Sequence, residues 1–328
     1  MKEWQVYQHS DPQDALKLTE AAVPTPGEGE VVIKMEAAAL NFFDILQCQG
    51  KYQENPPLPF VPGAEISGEI VNTGNSRTFK TGQRVLATPQ LPEGGWREFV
   101  KVREEDAFPI PDSLSYNQAA SMFITYQTAY YALHRCGNLG SGETLLVHAG
   151  AGGVGSAAIQ LGKAAGATVI ATAGSEEKVS ICLELGADYA LNYRNEDFVE
   201  KVKEYTNGAG ADVIFDPVGG EVFDRSRKCI AFEGRILAIG FASGTIPKAP
   251  INHALIKNYS IVGVHFGLFR KKKPEKVREA HDVLMDLYEK GDISPLVSKE
   301  YSFADVVSAL EVLGNRKSSG KLVITAPE

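Results

Sequence analysis

Apolar and polar positions follow two regimes along this chain. From about residue 124 to 263, short apolar runs alternate with stretches whose apolar residues recur at helical spacing. Residues 145–147 (LLV), 168–173, 211–215 (ADVIF) and 234–240 (GRILAIG) read as strands buried on both faces. Residues 176–185 and 196–205 read as the helices between them. Strands alternating with helices over roughly 120 residues predict a parallel, doubly wound α/β sheet. Before this region the strand-like pieces are short, at 31–36, 66–72, 84–87 and 99–102, and Gly/Pro clusters such as VPTPGEGE and NPPLPFVPGAE divide them. That pattern predicts a compact, mostly β domain. After it come one clear helix, 274–290, and a closing strand, 321–324.

This patterning predicts an inserted arrangement. Residues 1–123 and 264–328 build one domain between them, and 124–263 form the domain set into it. A groove between two such domains is the default small-molecule site.

Candidate chemistry centres on residues 143–155, ETLLVHAGAGGVG. Glycines at 150, 152 and 155 have the G-x-G-x-x-G spacing, with Gly153 added, and Val154, Ala157, Ala158, Leu161 and Ala165 continue at helical spacing. Strand, glycine turn and helix together give the motif its dinucleotide meaning. A residue without Cβ lets the backbone turn sharply and approach a pyrophosphate, which the helix N-terminus then holds. An acid at the tip of the next strand, near residue 173, would take the ribose 2′-OH of NAD. The tip here reads Ala173-Gly174-Ser175, with Glu176 and Glu177 in the first helical turn and Lys178 one step on. Small residues plus a cation suit a 2′-phosphate, so the expected cofactor is NADPH.

Composition narrows the class. The 328 residues carry a net charge of -8, which argues against nucleic acid as a main partner. The one basic run, 270–273, reads as a solvated loop. The N-terminal MKEWQVYQHS has no apolar stretch of the secretory kind, and no segment approaches the roughly 18 apolar residues of a membrane span. Cysteines at 48, 136, 182 and 229 form no CxxC pair, which fits a reduced, cytoplasmic setting.

Several motifs together carry a resemblance. They are Asn41-Phe-Phe-Asp44, Tyr52 before LPFVPGAEISG, TGQRV at 81–85, AGAGGVG at 149–155, Asn192-Tyr193, ADVIFDPVGG at 211–220 and the closing Gly320-Lys321. With these, the chain resembles, almost end to end, the zinc-free medium-chain reductases of the NADPH:quinone oxidoreductase (zeta-crystallin-like) family. The resemblance implies a Rossmann NADPH-binding domain inserted in a GroES-like catalytic domain. It also implies a cytoplasmic homodimer joined through Rossmann edge strands, here the segment 260–265. Zinc-dependent relatives use a Cys where this chain has Asn41, the His of a G-H-E motif where it has Gly63-Ala64-Glu65, and a further Cys in the region of Met122 to Tyr126. A catalytic zinc needs about three ligands from Cys, His or acid, so no metal is expected.

The family match assigns roles residue by residue. Gly152, Gly153, Val154 and Gly155 cradle the pyrophosphate, and Gly174, Ser175, Lys178 and Tyr193 match the adenosine-phosphate pocket. Arg316 reaches the same phosphate. Thr128, Phe241, Ala242, Ser243, Val264, His265 and Phe266 line the nicotinamide side. Asn41 and Tyr52 are the catalytic, substrate-side candidates: Asn41 offers a donor and an acceptor, Tyr52 a phenol. Leu46 stands where the family often has a second tyrosine, which implies a more apolar pocket. The expected activity is hydride transfer to a quinone. An alternative is reduction of activated C=C bonds in enones, enals or acrylates, and a remote one is a non-catalytic NADPH-binding structural or RNA-binding protein.

Overall fold

The computed structural model describes residues 1–327. Along the chain the strands are β1 (Lys2–Val6), β2 (Leu16–Glu20), β3 (Glu30–Ala39), β4 (Ile66–Asn72), β5 (Arg84–Ala87), β6 (Phe99–Arg103), β7 (Ala107–Pro109), β8 (Thr144–Val147), β9 (Thr168–Ala173), β10 (Tyr189–Asn192), β11 (Ala211–Asp216), β12 (Ile230–Ala238), β13 (Ser260–Gly263), β14 (Val297–Tyr301) and β15 (Lys321–Thr325). They divide between two compact units. One holds residues 1–124 together with the chain from Pro295 onward, and the other holds Thr125–Ser294.

In the first unit a seven-stranded sheet runs β14-β15-β3-β4-β5-β7, with β6 also paired to β3. The two ends of the chain meet inside it. β15 lies antiparallel to β3, with Val323 opposite Ala39, and the Trp4 indole N–H donates to the Phe303 carbonyl at 2.8 Å. One apolar core, including Val6, Ile33, Met35, Phe60, Trp96, Phe303 and Ile324, joins both ends. Each such side chain contributes on the order of 1.5–3 kcal/mol on burial.

In the second unit six parallel strands run β10-β9-β8-β11-β12-β13. The order reverses direction between β8 and β11, which is the switch point of a doubly wound sheet. Residues 264–294, expected with the C-terminal part, fall inside this unit instead. The helix Pro274–Lys290 buries Val277, Ala280, His281 and Leu284, and the Gln127 side chain donates to the Val277 carbonyl at 3.0 Å. An apolar helix stripe that packs within the inserted unit holds its segment there, whatever its place in the chain.

No helix among the described residues is long and apolar enough to cross a membrane.

Candidate functional site

The C-terminal edge of the parallel sheet gathers most of the residues expected to hold a cofactor. Each expected group follows a different strand: 152–155 after β8, Gly174, Ser175 and Lys178 after β9, Tyr193 after β10, 241–243 after β12 and 264–266 after β13. In doubly wound sheets ligands bind at this edge.

The β8 turn is built for close backbone approach. Gly152 caps the helix Gly153–Ala164 in an extended conformation. A Cβ at Gly155 would lie 2.2 Å from the Ala149 carbonyl oxygen, so only glycine fits there. The first-turn N–H groups of Gly153, Val154 and Gly155 have no intrahelical acceptors and suit an anion.

Beside this turn, Ser175 caps the helix Glu176–Glu184, its side chain accepting from the Lys178 N–H. Tyr193 is half exposed, its hydroxyl 2.8 Å from where a Gly174 Cβ would stand. Glu176, the first acid past the strand tip, is already engaged: its Oε1 accepts from the side-chain amides of Asn192 at 2.7 Å and Asn195 at 3.2 Å. Burial pulls the Lys178 pKa down, against the opposing pull of Glu177.

The other expected cofactor residues are arranged as follows. Thr128 is half-buried on the helix Phe123–Tyr130, which widens into a π-turn over Tyr131–Cys136. The loop 241–243 folds back on the end of β11: the Ala242 and Ser243 N–H groups donate to Pro217 and Val218 carbonyls. Val264 and Phe266 are buried and His265 between them is exposed. Arg316 belongs to the first unit, exposed in the turn after the helix Val306–Gly314 with φ 56.

The first unit holds a buried polar cluster that the sequence reading did not assemble. The Lys321 ammonium donates to the Leu40 carbonyl (2.8 Å), to Asn41 Oδ1 (2.6 Å) and to Glu65 Oε1 (2.8 Å). Asn41 Nδ2 donates to the same Glu65 Oε1 at 2.9 Å. Glu65 Oε2 accepts the Ile124 N–H at 2.8 Å. Asn41 also caps the helix Phe42–Cys48, and its backbone N–H donates to Asp44 Oδ2 at 2.7 Å.

Asp44 is fully buried and its Oδ1 has no hydrogen-bond partner. Burial pushes this carboxyl up to about 7, against the lowering effects of the Asn41 N–H and of Lys321. An unpaired buried carboxylate is costly, so the group holds its proton up to about pH 7. The signals for this cluster were the Asn41–Asp44 and Gly320-Lys321 motifs, but nothing local says that they meet.

In this arrangement Lys321 occupies one lone pair of Asn41 Oδ1 and Glu65 one of its two Nδ2 hydrogens. Tyr52 packs its ring on Phe43, centroids 5.3 Å apart. Its phenol is pushed up by burial and by the nearby Glu54 and Asp44. Leu46 lines a depression of about 350 Å³ with Phe42, Ile45, Gln49 and Leu310.

The cluster does not fit a catalytic zinc. Such a site needs about three Cys, His or acid ligands, and no group of three or more His, Cys, Asp or Glu side chains that could hold a metal occurs among the described residues. Glu65 already spends both oxygens, one of them on a cation that the chain supplies itself.

Comparison with known proteins agrees with this architecture. Residues 27–112 match the family model described as alcohol dehydrogenase GroES-like domain, and residues 153–285 the one described as zinc-binding dehydrogenase. The chain is 41% identical over 304 residues to quinone oxidoreductase-like protein 2 homolog of Nematostella vectensis, covering 92% of this chain and 83% of that protein. It is 30% identical over 326 residues to quinone oxidoreductase of Homo sapiens, covering 99% and 97%. Among solved structures, Escherichia coli quinone oxidoreductase complexed with NADPH superposes with a TM-score of 0.91 at 29% identity, over 99% of this chain and 100% of that one. The quinone oxidoreductase of Thermus thermophilus, also solved with NADPH, gives 0.85 at 33% identity over 99% and 100%. Two family models in the expected order, a GroES-like unit completed by both chain ends and a doubly wound unit between them lead to one assignment: the chain is an oxidoreductase of the medium-chain dehydrogenase/reductase family, in its quinone oxidoreductase group.

Proposed function

We propose that this protein transfers hydride from NADPH to a quinone without zinc. The observation that carries the reading is the internal ammonium of Lys321, bonded to Asn41, Glu65 and the Leu40 carbonyl, beside a Glu65 whose two oxygens both already accept hydrogen bonds. Oxidising an alcohol calls for help in stabilising an alkoxide, which zinc commonly gives. A quinone already accepts electrons and needs only hydride and a proton.

When bound, NADPH supplies the hydride. The chain's residues bind and orient. The N–H groups of Gly153, Val154 and Gly155 suit the pyrophosphate, and Gly174, Ser175 and Lys178 leave room and positive charge for a 2′-phosphate. Glu176, tied to Asn192 and Asn195, does not compete for that place. Tyr193, Arg316, Thr128, 241–243 and 264–266 complete the set we assign to the cofactor. Asn41 and Tyr52 are assigned to the acceptor. Burial keeps the Tyr52 phenol protonated, so it acts as a donor to the reduced oxygen rather than as a base.

The test is NADPH oxidation, followed by loss of its near-ultraviolet absorbance, with ortho- and para-quinones and with enals. Turnover of quinones supports the proposal. No rate above blank with any quinone refutes it, and turnover of enals alone moves the protein to the alkene reductases.

We also infer a homodimer. β13 pairs with β12 and with no other strand among the described residues, and its free edge needs cover. In the same region Phe232, Ile251, Leu255 and Ile256 are each at least 71% exposed. Light scattering should give twice 35.4 kDa, and a Leu255→Glu variant should run as a monomer. A monomeric wild-type protein would refute this inference. Four unpaired thiols, three of them buried, support a reducing, cytoplasmic setting.

A further inference from the structure

Asn41 is held by a clamp whose parts come from three distant stretches of chain. Lys321 has three N–H bonds to give, and all three are spent inside the protein, on Leu40 O, Asn41 Oδ1 and Glu65 Oε1. The ammonium has none left for a substrate. What it does is fix the Asn41 amide. Turned over, the amide would set its NH2 against the Lys321 ammonium and its oxygen against the Glu65 carboxylate, two repulsive contacts in place of two attractive ones. One Nδ2–H is used on Glu65. Asn41 Oδ1 has two lone pairs: one accepts Lys321, and the other faces the Asp44 backbone N–H in the capping box at the start of the Phe42–Cys48 helix. The hydrogen-bonding capacity of the amide beyond these contacts is then a single N–H.

The backbone delivers Lys321 to this position. Gly320 has φ +53, and a Cβ there would stand 2.2 Å from the Leu296 carbonyl oxygen. That same carbonyl accepts the Lys321 N–H at 2.8 Å. Only glycine lets the chain make this turn and place Lys321 beside the start of the Phe42–Cys48 helix, where Leu40 N–H donates to Leu322 O at 2.9 Å. The Gly320-Lys321 pair thus has one physical task.

We propose that Lys321 is a positioning residue that makes Asn41 a one-way donor, so that the protein selects substrates presenting an acceptor oxygen, the carbonyl of a quinone or enone. The selection rests on the reading of Asn41 as a substrate-side residue. The clamp itself does not, and the two can be tested apart.

The first measurement needs no turnover. In 15N-labelled protein the Asn41 side-chain NH2 pair, assigned by its loss in Asn41→Asp, should show two widely separated proton resonances protected from solvent exchange. In Lys321→Met the separation should collapse and protection should fall at least tenfold, while Lys321→Arg retains most of both. Unchanged resonances in Lys321→Met would overturn the clamp. Adding 2-methyl-1,4-naphthoquinone to the wild type should shift one of the two protons downfield, and no shift at saturation would overturn the recognition role.

The second measurement separates positioning from charge balance. The double variant Lys321→Met/Glu65→Gln removes both charges and should regain the thermal stability lost in Lys321→Met. Its KM for the naphthoquinone should stay raised at least tenfold, with KM for NADPH unchanged. Restoration of the quinone KM in the double variant would show that Lys321 only balances Glu65. Absence of wild-type turnover would refute the functional reading and leave the resonance result to decide the clamp.

Discussion

Replacing Asp44 by Asn should stabilise the protein, and only above acid pH. The carboxyl is fully buried, one oxygen accepts the Asn41 N–H, and the other has no partner. Its pKa is pushed from 3.8 to about 7. Below pH 3.8 the native and unfolded chains both hold the proton. Between the two values the unfolded chain releases it and the native one keeps it. Stability from this group is therefore full at low pH and falls as pH rises, levelling off above about 7. About three pKa units at 1.36 kcal/mol each correspond to a loss of roughly 4 kcal/mol.

Asparagine keeps the shape and an acceptor for the Asn41 N–H but has no proton to lose. The assay is urea denaturation read by tryptophan fluorescence. Both tryptophans, Trp4 and Trp96, are buried in the core of the unit that contains Asp44, so the signal reports that unit. The difference Asp44→Asn minus wild type should be near zero at pH 4 and grow to several kcal/mol by pH 8. Other titrating groups cancel in the difference. A gap that does not change with pH, or a less stable variant at pH 8, would refute the argument.

Three further outcomes follow from the same geometry. Gly155→Ala places a methyl 2.2 Å from the Ala149 carbonyl and 2.9 Å from the Gly150 Cα; the turn must shift, costing about 1–3 kcal/mol, and NADPH affinity by fluorescence titration should fall more than tenfold. Glu65→Gln leaves the Lys321 ammonium buried without its carboxylate and should cost roughly 3–5 kcal/mol in the tryptophan-detected transition. Lys178→Glu should turn the cofactor preference from NADPH toward NADH by at least tenfold in kcat/KM, with little change in folding, and an unchanged ratio would remove Lys178 from the phosphate pocket.

How much of this was legible in the sequence depended on how each segment is buried. β9 lies inside the parallel sheet, and its apolar run marked it without error at 168–173. β10 is an edge strand of four residues with an exposed start, and it carries no such run. β12 begins at Ile230, four residues before the apolar stretch that announced it, because Glu233 at φ 58 bends the strand inside its own length. The helix Phe123–Tyr130 is apolar nearly all round and shows almost no periodicity to read. Segment 264–294 looked C-terminal by position, whereas the helix stripe of Val277, Ala280 and Leu284 decides where it packs.

The polar cluster fails to appear in the sequence for a different reason. Its contacts span 24 positions from Asn41 to Glu65 and 280 from Asn41 to Lys321. No periodicity links residues so far apart. A residue type states what a side chain can donate and accept, and Asn41 can do both. Only the fold spends the acceptor on Lys321 and one donor on Glu65. Burial then acts on what is left: two carboxyl groups and one ammonium cannot all be charged cheaply in one low-dielectric place, and Asp44, lacking a partner for Oδ1, is the group that holds its proton up to about pH 7. The Glu65 charge is thus met by the Lys321 side chain, and the cost of burying Asp44 is relieved below about pH 7 by a proton rather than by a partner.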